Sequence, residues 1–285
     1  MYFCEEMAEY TINLRGCLMD LESPKVMGIL NVTPDSFFCG SRAQSPEIIS
    51  GQVRRMIADG ADIIDIGACS TRPGGAIVSE SEEMSRLRSA LKVITHEATG
   101  VPLSIDTFRP DVAKMCVGEY GVAIINDVGN ADTREEMFRT AAALRVPYIL
   151  MSTQPTLHDM LITFSREVQQ LRDLGQKDII IDPGFGFGKT LEQNYAILSE
   201  LENLAVLGLP VLVGISRKSM IQKVLGLTAD ESLNGTTVLN AISLMKGASI
   251  LRVHDVREAR ETVLISSKLS NSKYSNSKIP HVFPH

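Results

Sequence analysis

No CxxC pair, no apolar run of membrane length and no surplus of basic residues occur in this chain of 285 residues. Each absence excludes a class of function. Cys4, Cys17, Cys39, Cys69 and Cys116 form neither an even framework nor, with histidine, a zinc-type cluster. They read as reduced thiols of a cytoplasmic protein, and no transition metal is expected. No stretch reaches the roughly 18–20 apolar residues of a bilayer-spanning helix. The opening MYFCEEMAEY lacks the basic and long apolar regions of a secretory leader. A net charge of −6 and a pI of 5.5 argue against a general nucleic-acid binder.

What is present is a repeated grammar of apolar strand, polar strand end, loop and helix. Strands are predicted at Val26–Leu30, Ile63–Gly67, Pro102–Thr107, Val122–Asp127, Tyr148–Met151, Ile179–Asp182, Val211–Ile215 and Ser249–His254. Their near-continuous apolar character belongs to parallel strands covered on both faces. A helix follows each. The first opens at Ser45-Pro46 and turns Ile48, Ile49, Val53, Met56 and Ile57 to one side; the last runs from about Asp255 to Ser267. Eight such units predict an α/β fold, a closed (β/α)₈ TIM barrel, with an open doubly wound sheet as the alternative. Tyr10–Leu21 alternates apolar and polar residues around Arg15-Gly16, a short N-terminal β-hairpin. The chain thus divides into an extension and hairpin (1–24), the barrel (25–270) and a tail (271–285) whose Ser, Asn and Lys content predicts flexibility.

In such barrels the chemistry lies at the carboxyl ends of the strands. The residues there are Asn31, Thr71-Arg72, Asp106, Asn126, Asp182, Ser216-Arg217-Lys218, Arg252 and His254. Asp106, Asn126 and Asp182 make an acceptor-rich half suited to a planar heterocycle with an amino-pyrimidinone edge, such as a pterin or guanine. Any one of them alone is equally well read as a helix cap. Arg72, Arg217, Lys218, Arg252 and His254 make a cationic half suited to phosphate, although singly each could be a surface ion pair or, for His254, a structural histidine. Asn31 could join the phosphate half through Mg²⁺, an ion that prefers oxygen ligands. Asp182–Thr190 is glycine-rich, yet Pro183 breaks a Walker A loop and Lys189 breaks a dinucleotide fingerprint. The stretch then reads as a tight loop that brings backbone and Phe187 close to a flat ligand, with Phe185 and Phe187 as ordinary packing residues on the other reading.

NVTPDSF, STRPG, SIDT, IND, DPGFGFGK, VGISRKS and RVHDV, in this order at strand ends, resemble the dihydropteroate synthase family from about Tyr10 to Ser267. The resemblance implies a (β/α)₈ barrel that condenses 6-hydroxymethyl-7,8-dihydropterin pyrophosphate with p-aminobenzoate in folate synthesis. It also implies Mg²⁺ as cofactor, sulfonamides as competitors of p-aminobenzoate, and a homodimer. Asp106, Asn126, Met151, Asp182, Phe187, Gly214 and Lys218 match the pterin positions. Asn31, Arg72, Arg252 and His254 match the pyrophosphate region, with Asn31 toward the metal. Phe37, Thr71, Arg72, Pro73 and Ser216 match the p-aminobenzoate pocket. Asp106, Lys218, Arg252 and His254 are the implied catalytic set. The chain departs from the usual pattern at Phe38–Ser41, at Cys69, where Glu is frequent, at Gly129-Asn130 and at Ser152–Gln154. Two other readings share the acceptor trio. One is a methyltetrahydrofolate-dependent methyltransferase, which has no need of the SRK and RVHDV cations. The other is a non-catalytic pterin-binding paralogue.

Overall fold

The computed structural model describes residues 10–33, 45–69, 78–129 and 132–276. Its hairpin pairs β1 (Thr11–Leu14) with β2 (Cys17–Asp20), antiparallel, Leu14 opposite Cys17. The turn uses positive φ at both Arg15 and Gly16, the backbone that matches strand twist in a two-residue connection.

Eight units follow: β3 (Lys25–Asn31), α1 (Pro46–Ala58), β4 (Ile63–Gly67), α2 (Glu80–Glu97), β5 (Leu103–Asp106), α3 (Pro110–Tyr120), β6 (Ile124–Asp127), α4 (Arg134–Leu144), β7 (Tyr148–Met151), α5 (Leu157–Asp173), β8 (Ile179–Asp182), α6 (Leu191–Ser199), β9 (Leu212–Val213), α7 (Ser219–Leu225), α8 (Leu233–Met245), β10 (Ile250–Val253) and α9 (Val256–Asn276). All eight strands from β3 onward are parallel, ordered β8-β7-β6-β5-β4-β3-β10-β9. A parallel bridge between Ile181 and Val211 joins the two ends, which closes the barrel and removes the open-sheet alternative.

Side chains alternate across each strand. Outward residues such as Val26, Leu30, Ile64, Ile66 and Ile105 pack under the helices in the larger core. Met27, Ile63, Ile124, Ile149, Ile180, Leu212 and Ile250 form a second cluster with Ile12, Leu14 and Leu21 of the hairpin region. The hairpin therefore seals the amino-terminal end of the barrel over an apolar floor. Fully burying one such aliphatic side chain contributes about 1.5–3 kcal/mol.

Differences from the sequence reading have local causes. β9 keeps only two of five expected residues, because the chain after Val213 turns: Lys218 N–H donates to Ile215 O (3.0 Å) and Arg217 adopts φ +55°. Ser45 occupies the N-cap of α1 without a side-chain cap bond, whereas Ser79 and Thr190 do cap, Thr190 as a full capping box with Gln193. Ile48, expected on the apolar face of α1, is exposed. The last helix continues to Asn276, past the expected Ser267. Among the described residues no helix is long and apolar enough to cross a membrane.

Candidate active site

Strand register sets the site. Asn31 lies opposite Gly67, Gly67 opposite Asp106, and Asp106 opposite Asn126, so the ends of β3, β4, β5 and β6 share one level. The inward face of each strand carries an apolar residue in the floor and a polar one two positions on: Ile63 then Asp65, Ile124 then Asn126, Ile180 then Asp182, Ile250 then Arg252. That is a period-2 strand pattern turned so that polarity appears only at the carboxyl end.

The centre of the ring is Asp65, which is fully buried and absent from the sequence-derived set. One of its oxygens, Oδ2, accepts from Arg252 Nε at 2.7 Å and from Asn126 Nδ2 at 2.9 Å. Arg252 Nη2 donates at 2.5 Å to Asp106 Oδ2. Asp65 Oδ1 and Asp106 Oδ1 are both buried without a hydrogen-bond partner among the described residues. Its signal in the sequence was a carboxylate inside an otherwise apolar strand, on the same face as Ile63.

Burial pushes the Asp106 carboxyl up to about 7, with the Asp65 charge adding to the effect and Arg252 opposing it. Burial also works against the Arg252 charge, but Asp65 and Asp106 more than offset it and its pKa is raised. The anticipated separation into an anionic and a cationic half is therefore corrected: Arg252 is interleaved between two carboxylates.

Asp182, at the end of β8, accepts from Gly184 N–H at 2.7 Å; burial raises its pKa and Lys218 counteracts the rise. Lys218 donates to Phe185 O and lies 4.7 Å from the Phe187 ring centroid. Burial lowers its pKa to about 8 against the pull of Asp182. The packing alternative holds for Phe185, a fully buried core residue, whereas Phe187 is half-buried with the Lys218 ammonium over its ring.

The loop holding them demands glycine. At Gly184 (φ +65°) a Cβ would sit 2.2 Å from Ser152 O, and at Gly186 (φ +81°) 3.2 Å from Lys218 Cδ. Lys189, which spoils the dinucleotide fingerprint, has a structural task. Its ammonium donates to Ser152 O (2.9 Å), Gly184 O (3.0 Å) and Phe187 O (3.3 Å), tying the β7 and β8 loops together. Met151 borders this loop, its Cγ 3.0 Å from the Cβ position of Gly184. Gly214 leaves room beside Arg252 Cβ and Lys218 Nζ, 3.7 and 4.0 Å from its own Cβ position.

His254 and Ser216 form a separate pair: Ser216 Oγ lies 3.1 Å from His254 Nδ1 and accepts from the His254 backbone N–H at 3.2 Å. Asn31 Oδ1 is 3.5 Å from the Cβ position of Gly67, which also borders Asp106. Arg217 does not join the ring. Its positive φ swings the guanidinium to Asp255 (3.0 and 2.6 Å) and Asp230 (3.0 Å), so the expectation of anion binding is corrected to a structural ion pair. Phe37, Thr71, Arg72 and Pro73 lie outside the described residues, as do the departures at Phe38–Ser41.

A buried network behind the ring also escapes the sequence. Glu83, which reads as one of several helix-start acids, accepts from Thr107 Oγ1 (2.9 Å) and pairs with Arg109, while Arg109 Nη2 reaches Val78 O (2.5 Å). This fixes the residues after Asp106 to the start of α2. A concavity of about 670 Å³ at the opposite end, lined by Asn13, Arg139, Gln176 and Lys177 among others, includes none of the ring residues.

Comparison with known proteins agrees with this geometry. Residues 27–254 match the pterin binding enzyme family. A dihydropteroate synthase of Bacillus subtilis is 43% identical over 280 residues, covering 93% of this chain and 98% of that protein. A dihydropteroate synthase of Clostridium beijerinckii is 42% identical over 246 residues, covering 83% and 91%. Among solved structures, Xanthomonas albilineans dihydropteroate synthase with 4-aminobenzoic acid superposes with a TM-score of 0.86 at 33% identity, covering 92% of this chain and 98% of that one. The Yersinia pestis enzyme in complex with a sulfonamide drug gives 0.83 at 35% identity, covering 92% and 100%. With the match spanning the whole barrel and every described ring residue, the chain belongs to the pterin-binding enzyme family and, within it, to the dihydropteroate synthases.

Proposed function

We propose that this protein condenses 6-hydroxymethyl-7,8-dihydropterin pyrophosphate with p-aminobenzoate, releasing 7,8-dihydropteroate and pyrophosphate, with the pterin edge held in the Asp106–Asn126–Asp182 part of the ring. The observation that carries the reading is the unpaired buried acceptor Asp106 Oδ1 beside Asn126, at the end of β5, in a network whose other buried oxygen without a partner, Asp65 Oδ1, lies deeper in the barrel. A buried acceptor without a donor costs about 1–3 kcal/mol, and the N–H groups of a pterin edge would satisfy it.

In the reaction the C–O bond between the pterin methylene and the pyrophosphate breaks and a C–N bond to the amine forms. The amine loses a proton. The dihydropterin ring can delocalise positive charge, so the protein needs to orient, neutralise and exclude water. Asp106 lies where it would oppose the growing charge on the ring. Lys218 would hold the pterin against Phe187. His254, Ser216 and the outer N–H groups of Arg252 would receive the leaving pyrophosphate. No covalent nucleophile is required.

A magnesium ion would lie at the pyrophosphate end of the site, beside Asn31. Asn31, whose Oδ1 lies beside Gly67, would be an oxygen ligand to an ion that keeps water and phosphate ligands. The chemistry such an ion supplies when bound is charge neutralisation on the leaving pyrophosphate. Phe37, Thr71, Arg72 and Pro73 would build the p-aminobenzoate pocket over Ser216, and sulfonamides would compete there.

Free thiols at Cys17, Cys69 and Cys116 support a cytoplasmic setting. Exposed Val238 and Met245 on α8 and Leu264, Ile265 and Leu269 on α9 support a homodimer through these helices. Light scattering of V238E, expected to give a monomer, checks that assignment; an unchanged mass assigns the dimer elsewhere or removes it.

Titration offers a further check. Ionised Asp106 and protonated Lys218 are both required, and their pKa values are about 7 and about 8. The pH profile of kcat/KM for the pterin substrate is expected to be a narrow bell between those limbs. Lys218→Arg should move the alkaline limb out of range; an alkaline limb that stays in place removes Lys218 from the assignment.

The direct test is pyrophosphate release by the purified chain with magnesium and the pterin pyrophosphate, with and without p-aminobenzoate. Release coupled to the amine, with dihydropteroate formed, is expected. Pterin binding without product would instead identify a non-catalytic paralogue.

A further inference from the structure

We propose that Asp65 is a positioning residue that sets the hydrogen-bond polarity of the pterin subsite by fixing the Asn126 amide and the Arg252 guanidinium from a single carboxylate oxygen. The inference deepens the pterin reading above and rests on it.

An asparagine amide can be turned end for end with little change in shape, which exchanges its donor and acceptor ends. At Asn126 that freedom is removed. A carboxylate only accepts, so the atom 2.9 Å from Asp65 Oδ2 has to be the nitrogen. The amide oxygen and its second N–H are then presented in one fixed order. Arg252 Nε is held on the same oxygen at 2.7 Å, which aims Nη2 at Asp106. Asp65 thus decides the orientation of two neighbours on β6 and β10 and, through Arg252, the charge balance of a third on β5.

Position explains the economy. Asp65 stands mid-strand on β4, one step below the Gly67–Asp106 level, and is fully buried. It lies behind the groups that would meet a flat ligand. A carboxylate in that place costs desolvation that Arg252 and Asn126 offset. A neutral amide at 65 would leave Arg252 with one carboxylate and would offer Asn126 a donor as well as an acceptor, so the amide at 126 could turn over.

The test is a double-mutant cycle on the full-length protein with the pterin pyrophosphate and p-aminobenzoate. D65N is expected to raise KM for the pterin substrate about tenfold, equivalent to about 1.4 kcal/mol. KM for p-aminobenzoate should stay within about twofold, as for sites that share no partner. In an N126A background the effect of D65N on pterin KM should shrink to less than about threefold, since the amide that Asp65 orients is gone. Equal effects of D65N in both backgrounds, or equal rises in both KM values, would reduce Asp65 to a structural counter-ion and overturn the proposal. If D65N does not fold, D65N/R252Q, which buries no unpaired guanidinium, is compared with R252Q. A further rise in pterin KM supports the role and no rise overturns it. Wild-type turnover in the same assay separates failure of this inference from failure of the pterin reading.

Discussion

Arg252→Ala should lower kcat by about a thousandfold, or about 4 kcal/mol of transition-state stabilisation. It should also destabilise the fold by about 3–5 kcal/mol, the usual cost of removing one partner from a buried charge network. Both effects follow from one geometry. The guanidinium is the cation bonded to Asp65 and Asp106, whose side chains are 0% and 10% exposed. Its loss leaves two carboxylates facing each other in a dry site. Asp106, already raised to about 7, would rise further, because the Arg252 charge that holds it down is gone. The sign of the pH dependence is then fixed. A carboxyl whose folded pKa lies above its unfolded value of about 4 weakens the fold progressively as pH climbs from there through the folded pKa. The stability deficit of the variant should therefore be small near pH 5 and large at pH 8. Urea melts at the two pH values check this; a deficit independent of pH would show that Asp106 does not carry it. Turnover within tenfold of wild type would remove Arg252 from the charge-stabilising role.

Asp182→Ala should weaken pterin binding by about 30- to 300-fold, or about 2–3.5 kcal/mol, the cost of leaving buried partners of a charged acceptor unmatched. Asp182 accepts the Gly184 N–H at 2.7 Å and raises the pKa of Lys218, which burial alone would depress further. Without it the loop loses an anchor and Lys218 loses its proton more readily. The alkaline limb of the pH profile should consequently move below about 8 in this variant. Calorimetry with a pterin ligand reads the first effect and the pH profile the second. Unchanged affinity would reassign the pterin edge away from β8.

The sequence carries the fold well because barrel strands announce themselves as short apolar runs between turn-rich loops. Ile63–Gly67, Tyr148–Met151 and Ile179–Asp182 are found with the expected bounds. It carries the site less evenly. Residues at strand ends, such as Asp106, Asn126 and Asp182, can be found because a loop begins behind them. Asp65 sits two residues deeper, where an apolar context suggests only a strand, and the period-2 face that would reveal it matters only once the barrel is closed. Arg217 and Lys218 are adjacent and alike in charge, yet one is a structural ion pair and the other lies in the ring. What separates them is a left-handed backbone at Arg217, a property of tertiary packing that no residue type prescribes. The Glu83–Thr107–Arg109 network spans 26 positions and depends on how α2 meets β5.

The hairpin at the amino-terminal end has a consequence for traffic. A barrel stoppered by β1 and β2 over an isoleucine-rich floor is a well, not a channel. A ligand for Asp106 and Asp182 is thus expected to approach from the carboxyl ends of the strands, and to leave the same way. A four-residue strand pair at the back of the molecule thereby leaves the carboxyl face as the approach to the acceptors.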